Sequence, residues 1–160
     1  MKLIPLTRGK YAKVDDEDFE YLNQFKWCVQ GKYAGRLSSR KFGKRSMILM
    51  HREILHTPNG MLTDHIDEDG LNNQKYNIRV CTSSQNAANI KMRKANTSGF
   101  RGVRLDKRAK IKKWRVDIRN VCMKLYVGHF YSKEEAARAY DKKATELFGK
   151  FARLNFPIGE

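Results

Sequence analysis

The sequence predicts an α+β protein built from two modules, and three observations lead to this prediction. The first is charge: residues 1–90 hold 14 Lys and Arg against 10 Asp and Glu, a net charge of +4, whereas residues 91–160 hold 19 against 7, a net charge of +12. The second is an order of short strand, long polar loop, short strand and helix over residues 60–92. The third is strict alternation of apolar and polar residues, followed by helical spacing, over residues 113–149.

The overall charge of the chain indicates a polyanionic partner. The 160 residues contain 33 Lys and Arg against 17 Asp and Glu, which gives a formal net charge of +16 and a pI of about 9.9. Nucleic acid is the first candidate for such a partner. A membrane is not expected, because no apolar run approaches the roughly 20 residues that a span needs and no long basic amphipathic helix is present.

The three cysteines, Cys28, Cys81 and Cys122, lie far apart and form no C-x-x-C pair. They indicate neither a disulfide framework nor a zinc ribbon, and we expect reduced thiols that are buried or half-buried. The first ten residues have no long apolar core of the kind that a signal peptide contains. We therefore expect an intracellular, cytoplasmic protein.

The first module is predicted to consist of short elements. In chain order they are an acid-capped helix "DDEDFEYL" (15–22), strands "KWCVQ" (26–30), "YAGRL" (33–37) and "SMILM" (46–50), a short helix "HREILH" (51–56), a strand ending at His65, a strand "IRVC" (78–81) and a helix "TSSQNAANIKM" (82–92). Asp and Glu at the start of the first helix favour it through the positive end of the helix dipole.

The second module is predicted to begin with a three-stranded antiparallel sheet. Its strands are "FRGVRL" (100–105), "KWRVDIR" (113–119) and "KLYVGHF" (124–130). Alternation places Val116 and Ile118 on one face, and it places Val127 inward and Tyr126 outward. We expect a bulge at Gly102, since simple parity does not align the residues on either side of it.

A long helix is predicted to pack across the apolar face of this sheet. Ser132 and Glu135 have the spacing of a capping box, and Gly149 is a stop signal. Apolar residues recur at helical spacing between them: Ala136, Ala137, Tyr140, Ala144, Leu147 and Phe148. We therefore divide the chain into a first domain at 1–91 with its core at 47–91, a linker at 92–98 and a second domain at 99–157.

Residues 64–86, "DHIDEDGLNNQKYNIRVCTSSQN", combine a histidine with several carboxylates and carboxamides. A calcium-binding EF-hand loop is excluded, because its first and last positions would be His65 and Tyr76 instead of carboxylates. A helical zinc protease site is excluded as well, because His51 and His56 would not share a helix face.

The polar residues of this stretch carry a resemblance to a known family. Asp64-His65, Asn72-Asn73, Asn77-Ile78-Arg79 and Asn86, preceded by "MHREIL" at 50–55, resemble the HNH endonucleases, specifically the phage homing branch with the ββα-metal fold. One position departs from the family name, since Asn86 stands where the final His is expected.

The resemblance implies roles for four side chains. His65 would be the general base, a task that suits histidine because its ordinary pKa is about 6.5. Asp64 and Asn86 would hold one Mg²⁺ or Mn²⁺ per active site, and oxygen ligands suit such hard cations. Asn77 would orient the loop so that His65 points correctly. For His51, both a scaffold role and a contribution to phosphate binding remain open.

The second module resembles the APETALA/ethylene-response-factor DNA-binding domain over essentially all of residues 99–157. The segments that carry the resemblance are "FRGVRL", "KWRVDIR", "LYVGHFYSKEEAARAYDKKA" and "LFGKFARLNFP". It implies a sheet that lies in the major groove of double-stranded DNA. The residues expected to face DNA are Arg101, Arg104, Arg115, Arg119, Lys124 and Tyr126. Tyr126 replaces the usual tryptophan, and the turn "DKRAKIKK" departs from the plant pattern.

Together these features predict a sequence-directed homing endonuclease of phage or mobile-element type, acting in a bacterial host. It would hydrolyse phosphodiester bonds with a metal ion and read its site with the C-terminal sheet. No obligate protein partner is inferred. The alternative is a DNA-binding transcriptional regulator with an inactive nuclease module, and a third possibility is an RNA-binding protein.

Overall fold

The structure, a computed structural model, describes residues 1–40, 43–90, 92, 96–119 and 124–157. The chain forms two compact units, Met1–Thr82 and Ser83–Glu160. Cys122, for which a reduced thiol was expected, lies outside the described residues. So do residues 93–95 of the predicted linker. The helix that starts at Ser83 belongs to the second compact unit, and the domain bounds 1–91 and 99–157 stay a prediction.

The first unit contains short strands and helices. In chain order they are β1 (Lys2–Pro5), β2 (Tyr11–Val14), α1 (Asp16–Leu22), β3 (Cys28–Gln30), β4 (Tyr33–Leu37), β5 (Met47–Leu49), α2 (Met50–Ile54), β6 (Leu62–His65) and β7 (Ile78–Cys81). β1 pairs with β2, β4 lies between β3 and β5, and β6 pairs with β7, all antiparallel. The predicted strands and helices from residue 15 onward are confirmed.

Sequence reasoning missed the N-terminal hairpin formed by β1 and β2. These strands have only four residues each, yet they supply three of the eight buried residues of the first hydrophobic core. The core residues are Ile4, Leu6, Ala12, Val14, Leu22, Trp27, Ala34 and Met50. The available signal was short, namely the order apolar, polar, apolar at Ala12, Lys13 and Val14, of which the two apolar residues are buried.

The second unit contains one sheet and two α-helices in its described part. They are α3 (Ser83–Asn89), β8 (Val103–Leu105), β9 (Trp114–Arg119), β10 (Lys124–Phe130) and α4 (Lys133–Phe148). The strands form the predicted antiparallel meander in the order β10-β9-β8. The α+β fold class is thus confirmed. The order β6, β7, α3 along the chain agrees with the expected one, and a ββα-metal module remains a prediction.

Helix α4 packs against the apolar face of the sheet. Val116 and Ile118 of β9 are fully buried, and the small side chains of Ala136, Ala137 and Ala144 allow the helix to approach closely. Ser132 caps the helix, accepting a hydrogen bond from the Glu135 amide at 3.0 Å, as its spacing predicts.

Leu147 differs from the prediction, because it is 46% exposed although its spacing fits the apolar face of the helix.

Asp141 is a polar residue that is buried on the packed side of α4. The Asp141 carboxylate accepts hydrogen bonds from the amides of Asn155 and Phe156, both at 2.8 Å. It therefore fixes the C-terminal segment to the helix, a non-local contact that apolar periodicity cannot indicate.

The register of the sheet shifts at a bulge in β10, between Tyr126 and Gly128. Tyr126 pairs with Asp117 and Gly128 pairs with Val116, so Val127 is the extra residue. Gly102, where a bulge was expected, lies just before β8 with a φ of +72°. A methyl group at this position would collide with the ring of Tyr140.

None of the helices in the described part of the chain has the length and apolar character that crossing a membrane requires.

We expect Gly102→Ala to destabilise the second unit by roughly 2 to 4 kcal/mol, because it adds a collision with Tyr140 to the strain of a positive φ. Gly99→Ala is the matched control, since Gly99 has a φ of +78° and open space around it, and it should cost only about 1 kcal/mol. Chemical denaturation followed by circular dichroism measures both. Equal losses would contradict the packing argument.

Candidate functional site

The polar stretch of the first unit forms a closed loop between β6 and β7. His65 ends β6 and pairs with Ile78 across the hairpin, and Asp64 pairs with Arg79. The backbone amide of Ile66 donates to the Asn77 carbonyl at 2.8 Å, which closes the base of the loop. The hairpin therefore holds Asp64 and His65 at the mouth of a loop with a defined shape.

The buried carboxamide of Asn77 holds this loop together. It is 2% exposed. Its Oδ1 accepts from the Asp67 amide at 3.0 Å, and its Nδ2 donates to the Asn72 carbonyl and to Asp67 Oδ1, both at 2.8 Å. One side chain thus ties together two distant points of the loop, on either side of its turn.

Asp67 is the second organiser of the loop. Its carboxylate accepts from Asn72 Nδ2 and from the Asp69 amide, both at 2.8 Å. Burial acts to raise the pKa of Asp67, but the hydrogen bonds from Asn72 and Asn77 outweigh it, and the pKa lies below its ordinary value. The ionised carboxylate is therefore part of the native loop.

The neighbouring carboxamide of Asn73 contacts the imidazole of His65. Asn73 Nδ2 donates to the Leu71 carbonyl at 3.2 Å, so Asn73 Oδ1 is the atom that lies 3.3 Å from His65 Nε2. A carboxamide oxygen can only accept, so His65 Nε2 carries the hydrogen in this contact. In the neutral ring the lone pair then lies on Nδ1.

Three rings pack together beside the loop. The ring of Tyr33 from β4 stacks on His65 at a centroid distance of 5.7 Å and meets His51 from α2 edge to face at 4.8 Å. The His51 and His65 rings are 5.0 Å apart and nearly perpendicular. Gly70 makes room for this cluster, because a Cβ there would strike the backbone of Lys32 and the ring of Tyr33.

Both histidines are held neutral. His51 is 3% exposed, and burial, followed by the charge of His65, lowers the pKa of His51 to about 3. Burial also lowers the pKa of His65, although the hydrogen bond with Asn73 and the charges of Asp67 and Asp64 oppose it. Among the described residues, His51 Nδ1 is a buried nitrogen without a hydrogen-bond partner.

Asp64 is buried and forms an ion pair across the hairpin. Its Oδ2 accepts from Arg79 Nε at 3.0 Å and from Arg79 Nη2 at 2.8 Å. Sequence reasoning assigns no role to Arg79. Its position opposite Asp64 depends on the register of β6 and β7, which the sequence pattern does not give.

The two predicted metal ligands, Asp64 and Asn86, differ in chemical group and lie in different units. Asp64 offers carboxylate oxygen, and Asn86 is a half-buried carboxamide on α3 in the second unit, so the donor atoms suit Mg²⁺ or Mn²⁺. In the part of the chain that the structure describes, no group of three or more His, Cys, Asp and Glu side chains could hold a metal ion.

A second polar surface covers the sheet of the second unit, on the face opposite α4. Asp117 lies at its centre and is paired with Arg104 at 2.9 Å, Arg115 at 3.1 Å and Lys124 at 3.4 Å. Burial acts to raise the pKa of Asp117, but hydrogen bonds from Arg115 and Arg104 outweigh it, and the pKa is lowered. We call this surface the basic face, defined by Arg104, Arg115, Asp117, Arg119, Lys124 and Tyr126.

Tyr126 is the aromatic residue of the basic face and is half exposed. The Arg115 guanidinium lies 4.8 Å from the centre of its ring. Its hydroxyl lies 2.6 Å from His129 Nδ1, and His129 Nε2 lies 2.9 Å from Asp106 Oδ2. Sequence reasoning does not connect His129 with Tyr126.

Arg101 differs from the other predicted DNA contacts. Its guanidinium donates to the backbone carbonyls of Ala88 and Ile90 at the end of α3, with Nη1 lying 3.5 Å from the Ala88 oxygen. Its backbone is held by Asn155, whose Oδ1 accepts from the Arg101 amide at 2.6 Å. Arg101 thus anchors α3 in the second unit, which is why this helix belongs there. A contact of Arg101 with DNA remains a prediction.

Comparisons with known proteins add relatives to this geometry. No family model matches the chain, and no solved structure matches it. The chain is 29% identical to an uncharacterized HNH endonuclease of Acanthamoeba polyphaga mimivirus over 159 residues, which cover 96% of this chain and 79% of that protein. It is 33% identical to Protein 3.8 of Escherichia phage T7 over 99 residues, which cover 61% of this chain and 78% of that protein.

A plant protein gives a weaker match. An ethylene-responsive transcription factor of Arabidopsis thaliana is 35% identical over 101 residues, which cover 60% of each chain. The chain is therefore similar to an HNH endonuclease over nearly its full length and, more weakly, to plant ethylene-response factors.

His51 gives a prediction for the pH dependence of stability. Its folded-state pKa is about 3, whereas an unfolded histidine has a pKa of about 6.5, so only the unfolded chain binds this proton between these pH values. The stabilisation is fully present above about pH 6.5 and is lost as the pH falls towards 3. The part of this stabilisation that is lost between pH 6.5 and pH 4.5 amounts to about 2 to 3 kcal/mol.

From pH 6.5 to pH 4.5, we therefore expect the free energy of unfolding to decline less for His51→Leu than for the wild type. The difference between the two declines should be about 2 to 3 kcal/mol. Denaturant titrations at pH 6.5 and 4.5 measure the difference. His56→Asn, which changes an exposed histidine, should keep the wild-type pH dependence. The same pH dependence in all three proteins would refute the role of His51.

Proposed function

We propose that this chain, which belongs to the same family as Protein 3.8 of Escherichia phage T7, is a homing-type DNA endonuclease that hydrolyses phosphodiester bonds with the help of a divalent metal ion. The observation that carries the proposal is the loop between β6 and β7. There, Asn73 and Asn77 orient a neutral, buried His65 next to the carboxylate of Asp64.

His65 is the proposed general base. Its lowered pKa keeps the imidazole neutral at physiological pH, and its contact with Asn73 directs the hydrogen to Nε2. Nδ1 then takes the proton of a water molecule while the water oxygen attacks phosphorus. The bond from phosphorus to the 3′ oxygen breaks, and this leaving oxygen takes a proton from solvent, which gives a 5′-phosphate and a 3′-hydroxyl end.

Asn77 is a positioning residue in this proposal, since its carboxamide bonds only to the loop. Asp64 remains a proposed metal ligand, as the family resemblance implies. The chemistry that Mg²⁺ or Mn²⁺ supplies when bound is neutralisation of the charge that develops at the scissile phosphate. Arg79 restrains the Asp64 carboxylate from the opposite strand.

The proposed role of His51 is structural. A side chain that is buried and has a pKa of about 3 carries no positive charge at neutral pH, so it cannot attract phosphate through charge. Its contacts with Tyr33 and His65 support a scaffold role that fixes the orientation of the His65 ring.

The basic face is the proposed DNA-reading surface. It presents the cations of Arg104, Arg115, Arg119 and Lys124 and the ring of Tyr126 on one side of the sheet. Cations on an exposed sheet suit contacts with phosphates and base edges in the major groove of double-stranded DNA. The similarity to a plant transcription factor supports the same assignment.

We expect His65→Ala to lower DNA cleavage by at least about 100-fold and to leave DNA binding intact, because the variant removes the base but none of the basic face. The assay is conversion of supercoiled plasmid carrying the native flanking DNA, with Mg²⁺ or with EDTA. His56→Asn is the matched control and should cleave like the wild type. Cleavage by His65→Ala at the wild-type rate would refute the assignment of the base.

The same experiment separates the two functional classes. Binding without cleavage by the wild type, over a range of divalent cations, would favour a DNA-binding regulator with an inactive nuclease module.

We expect Arg104→Ala to weaken binding to double-stranded DNA roughly 5- to 100-fold, because it removes a cation and also leaves Asp117 less neutralised next to phosphate. Lys142→Ala, an exposed change on α4, removes the same charge elsewhere in this unit and should have little effect. Fluorescence anisotropy in EDTA at several salt concentrations measures both. For roughly six phosphate contacts, the wild-type log–log salt slope should be about −5. Equal losses in both variants would contradict the proposed interface.

A further inference from the structure

The bulge in β10 determines which side chains share the basic face. Residues three apart in a regular strand point to opposite faces. The extra residue Val127 reverses this parity, so that Tyr126 lies opposite Asp117 while His129 lies opposite Arg115. Tyr126 and His129 are therefore neighbours on the same face, a consequence that the sequence pattern alone did not reveal.

A chain of hydrogen bonds runs from Asp106 through His129 to Tyr126. Asp106 lies in the turn between β8 and β9, and its Oδ1 accepts from the Arg108 amide at 3.0 Å. Its Oδ2 lies 2.9 Å from His129 Nε2. The hydrogen bond from His129, followed by that from the Arg108 amide, lowers the pKa of Asp106, which keeps the carboxylate ionised at neutral pH.

The direction of each hydrogen bond follows from the chemistry of the groups. An ionised carboxylate can only accept, so His129 Nε2 must donate to Asp106. The neutral imidazole has a single N–H, which leaves Nδ1 as an acceptor. The Tyr126 hydroxyl, 2.6 Å from Nδ1, must then donate to His129. The hydrogen of Tyr126 is occupied, and only oxygen lone pairs remain available to a ligand.

We infer that Asp106 and His129 set Tyr126 as a hydrogen-bond acceptor, so that it selects a DNA base that presents an amino group in the major groove. These groups are N6 of adenine and N4 of cytosine. His129 and Asp106 are positioning residues, and Tyr126 determines specificity. Tyr126 is 50% exposed, and Arg115 over its ring restrains the ring from one side.

This inference rests on the proposed DNA-reading role of the basic face, and its test does not require cleavage. The full chain is used to select binding sites from random double-stranded DNA in EDTA. Single exocyclic groups of the selected site are then deleted, with purine for adenine, 2-pyrimidinone for cytosine and 2-aminopurine for guanine. Binding of each DNA is measured with the wild type, Tyr126→Phe and Tyr131→Phe.

The expected result is one amino deletion that weakens wild-type binding about 3- to 10-fold, the effect of one hydrogen bond. The same deletion should have no effect on Tyr126→Phe. Tyr131→Phe removes an exposed hydroxyl from the strand end and should behave like the wild type. His129→Phe should reduce the effect of the deletion, because it frees the Tyr126 hydroxyl to rotate.

The outcomes distinguish the two levels of the proposal. Failure to select any site would overturn both the DNA-reading role and this inference. A selected site to which Tyr126→Phe binds with an unchanged response to every deletion would overturn only the inference. A Tyr126-dependent effect of an oxygen deletion would assign the hydroxyl as a donor and would also overturn it.

An independent measurement tests the relay without DNA. Long-range ¹⁵N–¹H spectra of the histidine side chains report which nitrogen carries the hydrogen. We expect the Nε2–H form of His129 at neutral pH in the wild type and its loss of preference in Asp106→Ala. An Nδ1–H form in the wild type would overturn the proposed direction of the relay.

Discussion

The buried carboxamide of Asn77 is the interaction on which the polar loop of the first unit depends. Its donor and acceptor atoms meet backbone groups at Asp67 and Asn72, which are far apart within the loop. A carboxamide suits this position because it carries both hydrogen-bond functions without a charge. Burial makes these bonds costly to lose, since an unmet polar group in the interior is destabilising by about 1 to 3 kcal/mol. The orientation of His65 follows from this constraint.

Carboxylates have a similar role in the second unit. Asp141 holds the C-terminal segment through Asn155, and Asn155 in turn holds the backbone of Arg101. Asp117 gathers three cations on the opposite side of the sheet. In a chain with a net charge of +16, Asp117 offsets repulsion between the three cations around it and fixes their positions. The basic face is therefore an ordered arrangement of charges.

The histidine pair shows how function and stability oppose each other. Packing His51 against His65 in a buried cluster holds both rings neutral, which suits the proposed role of His65 as a base, but it makes stability depend on pH. His51 also keeps a buried nitrogen without a partner among the described residues. An apolar residue would fill that volume at a lower electrostatic cost, so the site is held at some expense to the fold.

Local rules were sufficient for most of the elements and for the choice of residues. Capping placed α4, alternation placed β9, and the order of strand, loop, strand placed Asp64 and His65 on the hairpin. They failed for the hairpin of β1 and β2, whose four-residue strands carry too few positions for a clear period.

The contact partners of side chains, and the sheet faces on which they lie, required the tertiary structure. The sequence by itself determined the fold class, the strands and helices, and the polar residues available for chemistry, because these depend on neighbours along the chain. Only the tertiary structure decided that Arg79 pairs with Asp64, that Arg101 holds the end of α3, and that the bulge at Val127 joins Tyr126 to His129. Such contacts depend on register and on residues distant in sequence, where a shift of one residue turns a side chain to the opposite face.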